Sequence, residues 1–323
     1  MDGLIQFGID FIVAFQAMGN WLVGPMKFFS FLGSEDFFLF VLPLVYWCID
    51  AGLGLRIGLI LLASNNLNDI FKMAMHGPRP YWVSTSVQGM ASETGFGIPS
   101  GHAQNAIGVW GIMAARVGRM WAWVAAGLVI LFIGLSRLYL GVHFPHDVLF
   151  GWFLGALLLW AFMRFWDPVA TRLKQMTLGG QVAVAFGVSI VMILLPLLVV
   201  FLSRGFIVPA DWIANATRDG GEVPNPLTVT GAFSAAGTLF GLAAGFAWNQ
   251  TRGGFSASGP VVNRVLRYFV GFVGVDILYF GLKLVFPDGE DLVALVFRYI
   301  RYASVGAWIS AGAPWIFSKL QIG

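Results

Sequence analysis

Cysteine is nearly missing from this chain: Cys48 is the single one among 323 residues, and it lies in an apolar run. That excludes a disulfide framework and a cysteine metal site. Charge is the second shortage. Asp, Glu, Lys and Arg make up 11% of the residues, against about a quarter in ordinary soluble domains. The net charge is +3, but the basic residues are spread singly and form no dense patch. Nucleic acid is therefore not an expected partner. No basic region precedes the first apolar stretch and no small-residue cleavage site follows it. A removable signal peptide is not read, and the first helices are expected to stay.

Apolar residues fill the gap, at 58% of the chain with 15% aromatic, 41 glycines and 13 tryptophans. Several long segments have no polar face, as transmembrane helices with interfacial aromatic belts require. The expected fold class is all-α, a polytopic transmembrane helical bundle. A bilayer core needs about 20 apolar residues per helix. That criterion selects nine spans: 37–55, 57–75, 101–117, 120–140, 147–165, 182–202, 227–248, 265–286 and 292–317. Residues 5–18 are apolar but short and interrupted by Asp10, which suits an interfacial or re-entrant helix. Three segments follow: N-terminal helices over 1–33, a core over 34–166, and a C-terminal transmembrane extension of about four spans over 167–323. No soluble domain is visible.

Lys and Arg in short loops set orientation. Threading nine spans alternately gathers Arg56, Arg116, Arg119, Arg164, Arg172, Lys174, Arg252, Arg264, Arg267 and Lys319 on one side. The other side has Lys27, Arg204 and Arg218, apart from the motif cations Lys72, Arg79 and Arg137; Lys283, Arg298 and Arg301 lie within or near the ends of the last two spans and are left out of the count. The first side is expected to be cytoplasmic. The loops 77–98 and 141–146 then face away from the cytosol, in a bacterial inner or plasma membrane, towards the periplasm or exterior.

Against this apolar background one constellation stands out. The sequence runs Lys72-(six residues)-Arg79-Pro80, then Pro99-Ser100-Gly101-His102, then Ser136-Arg137-(five residues)-His143-(three residues)-Asp147. Ionisable groups at the ends of hydrophobic segments mark a functional site by default, because charge is costly in a bilayer. Lys72 falls in the last turns of a helix, and Pro78 and Pro80 force an extended exit that presents Arg79 beside it. Ser100 and Gly101 open the next helix, whose unpaired amides and positive dipole end suit phosphate. His143 and Asp147 are four apart at a helix start and can share one face.

These residue types suffice for phosphoryl transfer without a metal or cofactor. Lys72, Arg79, Arg137 and the Ser100 and Gly101 amides would neutralise phosphate oxygens. His143 would attack phosphorus, His102 would protonate the leaving oxygen, and Asp147 would hold the imidazole tautomer. A metal site built from His102, His143, His146 and Asp147 is unattractive beside three cations. His146 is expected to have a supporting or interfacial role, and His76 has only proximity to recommend it.

At these positions the chain resembles the phosphatidic acid phosphatase type 2 and vanadium haloperoxidase superfamily. Its signature is Lys-x6-Arg-Pro, Pro-Ser-Gly-His and Ser-Arg-x5-His-x3-Asp, and every position matches. The resemblance covers residues 60–160 and implies a helical core, His143 as nucleophile, His102 as acid and Asp147 as orienter. Gly-Pro-Arg-Pro-Tyr-Trp at 77–82, Glu93-Thr94-Gly95, and Tyr139 with His143-Phe144-Pro145-His146 are similar to the glucose-6-phosphatase branch and its bacterial relatives.

Taken singly, Lys72 could snorkel, Arg137 could anchor to headgroups and His143 could cap a helix. Together they point to a membrane phosphatase acting on a phosphate monoester or pyrophosphate of a lipid, such as undecaprenyl pyrophosphate, phosphatidic acid or phosphatidylglycerol phosphate. A sugar phosphate is the alternative substrate, and a lipid phosphotransferase or a transporter that kept the fold are alternative functions. Asp276 and Lys283, seven apart, could line one face. Arg298 and Arg301 pair inside the bundle or reach the substrate.

Overall fold

The computed structural model describes residues 2–322; Met1 and Gly323, the outer ends of the first and last segments above, lie outside the described residues. All regular elements among the described residues are helical. In chain order they are α1 (Asp2–Gln16), α2 (Val23–Phe31), α3 (Glu35–Cys48), α4 (Ala51–Met75) and the single turn α5 (Pro80–Val83). There follow α6 (Gly101–Val117), α7 (Met120–Tyr139), α8 (Pro145–Lys174), α9 (Leu178–Leu202) and α10 (Ala210–Thr217). The C-terminal part holds α11 (Thr230–Gln250), α12 (Val261–Asp276), α13 (Leu282–Val285), α14 (Leu292–Ala307) and α15 (Ala313–Lys319). A π-helical turn joins α12 to α13 at Ile277–Gly281, and another joins α14 to α15 at Trp308–Gly312.

Six of these runs are long and apolar enough to cross a membrane: α7, α8, α9, α11, Val261–Val285 and Leu292–Lys319. The expectation of nine is met by six. Segment 37–55 yields only the 14 residues of α3, because the chain stops at Cys48 and Asp50 restarts it by accepting from the Leu53 amide at 3.0 Å. Segment 101–117 is α6, with 17 residues. Both fall short of the roughly 30 Å of a hydrocarbon core at 1.5 Å per residue. Helix α4 has 25 residues, but Ser64, Asn65, Asn66, Asn68, Asp69 and Lys72 crowd its second half. At the N-terminus, Gly3–Gln16 and Asn20–Phe31 form a pair bent by 90°, a broken span or a re-entrant loop.

The chain divides into two compact units. The first contains the stretch up to Phe38, Leu67–Trp160 and Leu198–Thr228. Its core gathers Ile12, Tyr81, Trp82, Phe96, Tyr139 and Phe144, so the connecting loops are packed rather than free. Small residues let its helices approach. A Cβ on Gly151 of α8 would lie 2.5 Å from Ser100 O, and one on Gly155 would lie 2.6 Å from Gln104 O. Glycines four apart thus seat α8 directly on the first turns of α6.

The second unit comprises Leu39–Asn66, Ala161–Leu197 and the stretch from Val229 onward. Helices α11 and α14 pack in parallel, Gly237 against Tyr299 and Gly241 against Ala303, again through small residues. Arg267 is fully buried, donating to the carbonyls of Ile322 and Ser258 at 2.5 and 2.8 Å. Arg301 lies 5.4 Å from the ring centres of both Tyr279 and Tyr302. Aromatic faces flank this guanidinium. Asp276 and Lys283 do not share a face as a regular helix would allow, since the π-helical turn between them shifts the register; Asp276 is half-buried and Lys283 is exposed.

Candidate active site

Everything in the constellation belongs to the first unit. Lys72 lies in the last turn of α4, half-buried. One turn earlier on the same face, Asn68 donates to Pro99 O at 3.3 Å and to Gln104 Oε1 at 2.8 Å. An amide on α4 therefore fixes the start of α6 opposite Lys72. Arg79 precedes α5 in extended conformation, with Pro80 opening the turn. Ser100 caps α6, its hydroxyl accepting from Ala103 N at 3.5 Å, and Gly101 and His102 form the first turn. A Cβ on Gly33 would sit 3.4 Å from the His102 ring, so the chain leaving α2 passes against this histidine.

Arg79 is fully buried and clamped on all sides. Its Nε donates to Gly95 O at 2.7 Å, Nη1 to Val142 O at 3.0 Å and Nη2 to Phe96 O at 3.1 Å. Nη1 also lies 3.3 Å from His143 Nε2. Because a guanidinium only donates, Nε2 is the acceptor there and the ring proton resides on Nδ1. That nitrogen faces Asp147 Oδ2 at 3.4 Å, and the same oxygen accepts from Phe144 N at 2.8 Å. The tautomer thus follows from the two neighbours of the ring. His146 Nε2 stands 3.3 Å from Asp147 Oδ1, and its ring stacks on Phe144.

Arg137, at the end of α7, is 2% exposed; Nη1 donates to Ser30 Oγ at 2.6 Å and Nη2 pairs with Glu93 Oε1. Its Nε is buried without a partner. An orphan donor on a buried cation is what an incoming phosphate oxygen would satisfy. Glu93 also pairs with Arg79 through Oε2 at 3.4 Å. Burial pushes the Glu93 carboxyl up, but Arg79 and then Arg137, with His102 and Lys72 behind them, outweigh it and hold the group well below the usual carboxylate range. His143 is displaced in the direction of neutrality: burial, then Arg79, Arg137, Lys72 and His102 all disfavour its cation. An uncharged imidazole whose unprotonated Nε2 faces the Arg79 guanidinium can act as a nucleophile once a phosphate takes over the contacts of that guanidinium.

One predicted role changes. The Ser100 amide donates to Asp147 O at 3.0 Å, so it is committed to holding α8 against α6 rather than to an anion. The Gly101 amide, next along, lies in the first turn, where no intrahelical acceptor exists. Sequence reasoning also missed Ser30, Asn68, Gln104 and the structural part played by Glu93. Only Glu93 left a signal: it is an acid in the loop between the Lys72 and Arg79 motif and the Pro99-Ser100-Gly101-His102 motif. Among the described residues, no three His, Cys, Asp or Glu side chains gather so as to hold a metal ion.

Comparison with known proteins gives a consistent picture. A PAP2 superfamily model matches residues 53–169, and a model of the PAP2 superfamily phosphatase transmembrane extension matches residues 233–323. The chain is 33% identical over 185 residues to Glucose-6-phosphatase 3 of Bos taurus, covering 50% of this chain and 53% of that one. It is 31% identical over 172 residues to Phosphatidylglycerophosphatase B of Bacillus subtilis (strain 168), covering 48% of this chain and 80% of that one. It thus spans little more than half the length of the bovine glucose-6-phosphatase. A crystal structure of a transmembrane PAP2 type phosphatidylglycerolphosphate phosphatase from Bacillus subtilis aligns with a TM-score of 0.44 at 27% identity, over 51% of this chain and 87% of that one.

Proposed function

The chain belongs to the PAP2 superfamily, and from that premise we propose that it is a metal-independent membrane phosphatase that hydrolyses a lipid phosphate monoester or pyrophosphate through a phosphohistidine intermediate. One observation carries the reading: His143 presents Nε2 beside Arg79 at 3.3 Å and has Asp147 at its other nitrogen. Nε2 attacks phosphorus, and the bond from phosphorus to the leaving oxygen breaks. His102 gives that oxygen a proton, and then takes one from the water that splits the phosphorus–nitrogen bond. Asp147 stabilises the imidazolium character that develops on His143. Arg79, Arg137, Lys72 and the Gly101 amide bind the non-bridging oxygens.

A lipid substrate is favoured by helix α2. Ser30 on this helix holds Arg137 at 2.6 Å, while Phe28 and Phe31 on the same helix are 57% and 47% exposed. A headgroup phosphate at Arg137 would therefore leave its acyl chains beside an apolar, bilayer-compatible surface. The glucose-6-phosphatase relatives support a sugar phosphate as the second reading. The proposed topology keeps α3, α4 and α6 as spans, local thinning of the bilayer and flanking residues taking up the shortfall in length of α3 and α6, and the Lys and Arg bias then turns the site away from the cytosol.

Phosphate release from phosphatidic acid, phosphatidylglycerol phosphate, undecaprenyl pyrophosphate and glucose 6-phosphate, in detergent with EDTA, tests the reading. Turnover of lipids that persists in EDTA and is lost in His143→Ala and His102→Ala is expected. Turnover abolished by EDTA, or intact in His143→Ala, would overturn the mechanism. Turnover of glucose 6-phosphate alone would replace the lipid by the sugar.

A further inference from the structure

The C-terminal unit contains an open cavity of about 710 Å³ that has no part in the chemistry above. Three tryptophans line it, Trp248, Trp308 and Trp315, together with Leu278 and Ala311. Its size falls in the roughly 300–1,000 Å³ range of small-molecule sites. Both π-helical turns border it, Leu278 from the first and Trp308, Ala311 and Gly312 from the second. Such turns break the regular side-chain register and recur at functional sites. The wall is built rather than left over. Trp308 Nε1 donates to Gly271 O at 2.8 Å, and a Cβ on Gly312 would approach its ring to 2.6 Å.

Two cations lie against its tryptophans. Arg252 lines the cavity with its guanidinium 4.3 Å from the centre of the Trp248 ring, and Lys319 places its ammonium 5.8 Å from the centre of the Trp315 ring. Both cations are exposed, and no Asp or Glu is among the described lining residues. Helices α11 and α14 run parallel, so the ends of α11 and α15 that carry Arg252 and Lys319 emerge on the same side. An apolar, aromatic groove with one cation in its wall and a second on the ring of a lining tryptophan matches the two halves of an anionic amphiphile.

We propose that this cavity is a binding site for an anionic phospholipid, with an acyl chain against Trp248, Trp308 and Trp315 and the phosphodiester between Arg252 and Lys319. A zwitterionic lipid brings its own cation to the same place and is disfavoured. The site is separate from the phosphatase chemistry, because a phosphodiester headgroup offers no terminal phosphate for His143.

Native mass spectrometry of the full purified chain, titrated with dioleoylphosphatidylglycerol or dioleoylphosphatidylcholine, tests this directly. The first phosphatidylglycerol should bind about tenfold more tightly than phosphatidylcholine. Arg252→Gln with Lys319→Gln should bring the two lipids within about twofold of each other while phosphate release is unchanged. Ala311→Trp should lower occupancy by both lipids. Equal affinity of the wild type for the two lipids, full preference in the double variant, or undiminished occupancy in Ala311→Trp would each overturn the proposal. If the double variant does not fold, the two single variants serve instead: each should lose part of the preference, and full preference in both overturns it.

Discussion

Glu93 pairs with Arg137 through Oε1, and its second oxygen reaches Arg79 at 3.4 Å, so one carboxylate ties together the two most deeply buried cations of the site. In the absence of substrate it supplies the negative charge that these guanidiniums need. Glu93→Gln removes that charge and leaves two buried cations facing each other. Breaking a fully buried pair costs 3–5 kcal/mol; with the Glu93 side chain 27% exposed, a loss of about 2 kcal/mol is expected. Inorganic phosphate should restore more thermal stability to the variant than to the wild type, because it replaces the missing anion. Equal phosphate-induced shifts in the two proteins would count against the shared-anion arrangement.

Arg137→Lys keeps a cation but not the fork that reaches Ser30, Glu93 and an open position on Nε. A lysine ammonium cannot span these partners. The expected loss in kcat is about 10²- to 10³-fold, as for removal of an oxyanion donor. Steady-state kinetics in detergent would measure it, and a loss smaller than fivefold would show that Arg137 ties Ser30 and Glu93 together without binding the transferring phosphate.

The acid side of the pH profile follows from His143. Burial first, and then Arg79, Arg137 and Lys72, disfavour its imidazolium, so the neutral nucleophile should survive well below pH 6.5. The acid limb of kcat/KM that belongs to this group should lie below 6.5, and Lys72→Gln should move it upward. An unmoved limb at or above 6.5 would contradict the assigned neighbours. The same displacement affects stability. Below the unfolded value of 6.5 the unfolded chain binds a proton that folded His143 does not, so stability falls with pH by up to about 1.4 kcal/mol per unit until the folded group also titrates.

Gly151 tests the scaffold. A methyl there would meet Ser100 O at 2.5 Å and force α8 away from α6, breaking the bond between Ser100 N and Asp147 O. Gly151→Ala should cost about 1–3 kcal/mol and lower kcat through Asp147. Wild-type melting together with wild-type turnover would show that the contact is dispensable.

How much of this was legible in the sequence depends on distance along the chain. Arg79, Arg137, His143 and Asp147 could be placed because each sits at a helix end, and prolines or glycines mark those ends. The His143–Asp147 spacing translates directly into one turn of helix. The Ser100 amide could not be read, since its partner is decided by how closely Gly151 lets α8 approach. Ser30 was invisible for a similar reason: only the fold of the bent N-terminal pair brings it to Arg137. Hydropathy counts more spans than helix length does, because a window over 37–55 does not register that Asp50 ends one helix and caps the next. The π-helical turns leave no periodicity signal, so the separation of Asp276 from Lys283 and the cavity beside Trp308 emerge only in three dimensions.

The central claim is that His143 accepts the phosphoryl group. Alkaline quench during turnover of phosphatidic acid, with EDTA present, followed by peptide mass spectrometry, tests it most directly, because phosphohistidine survives base. A phosphoryl group on the peptide containing His143, absent from His143→Ala, is the predicted result. A phosphoryl group on any other residue, or undiminished phosphate release by His143→Ala, would contradict it.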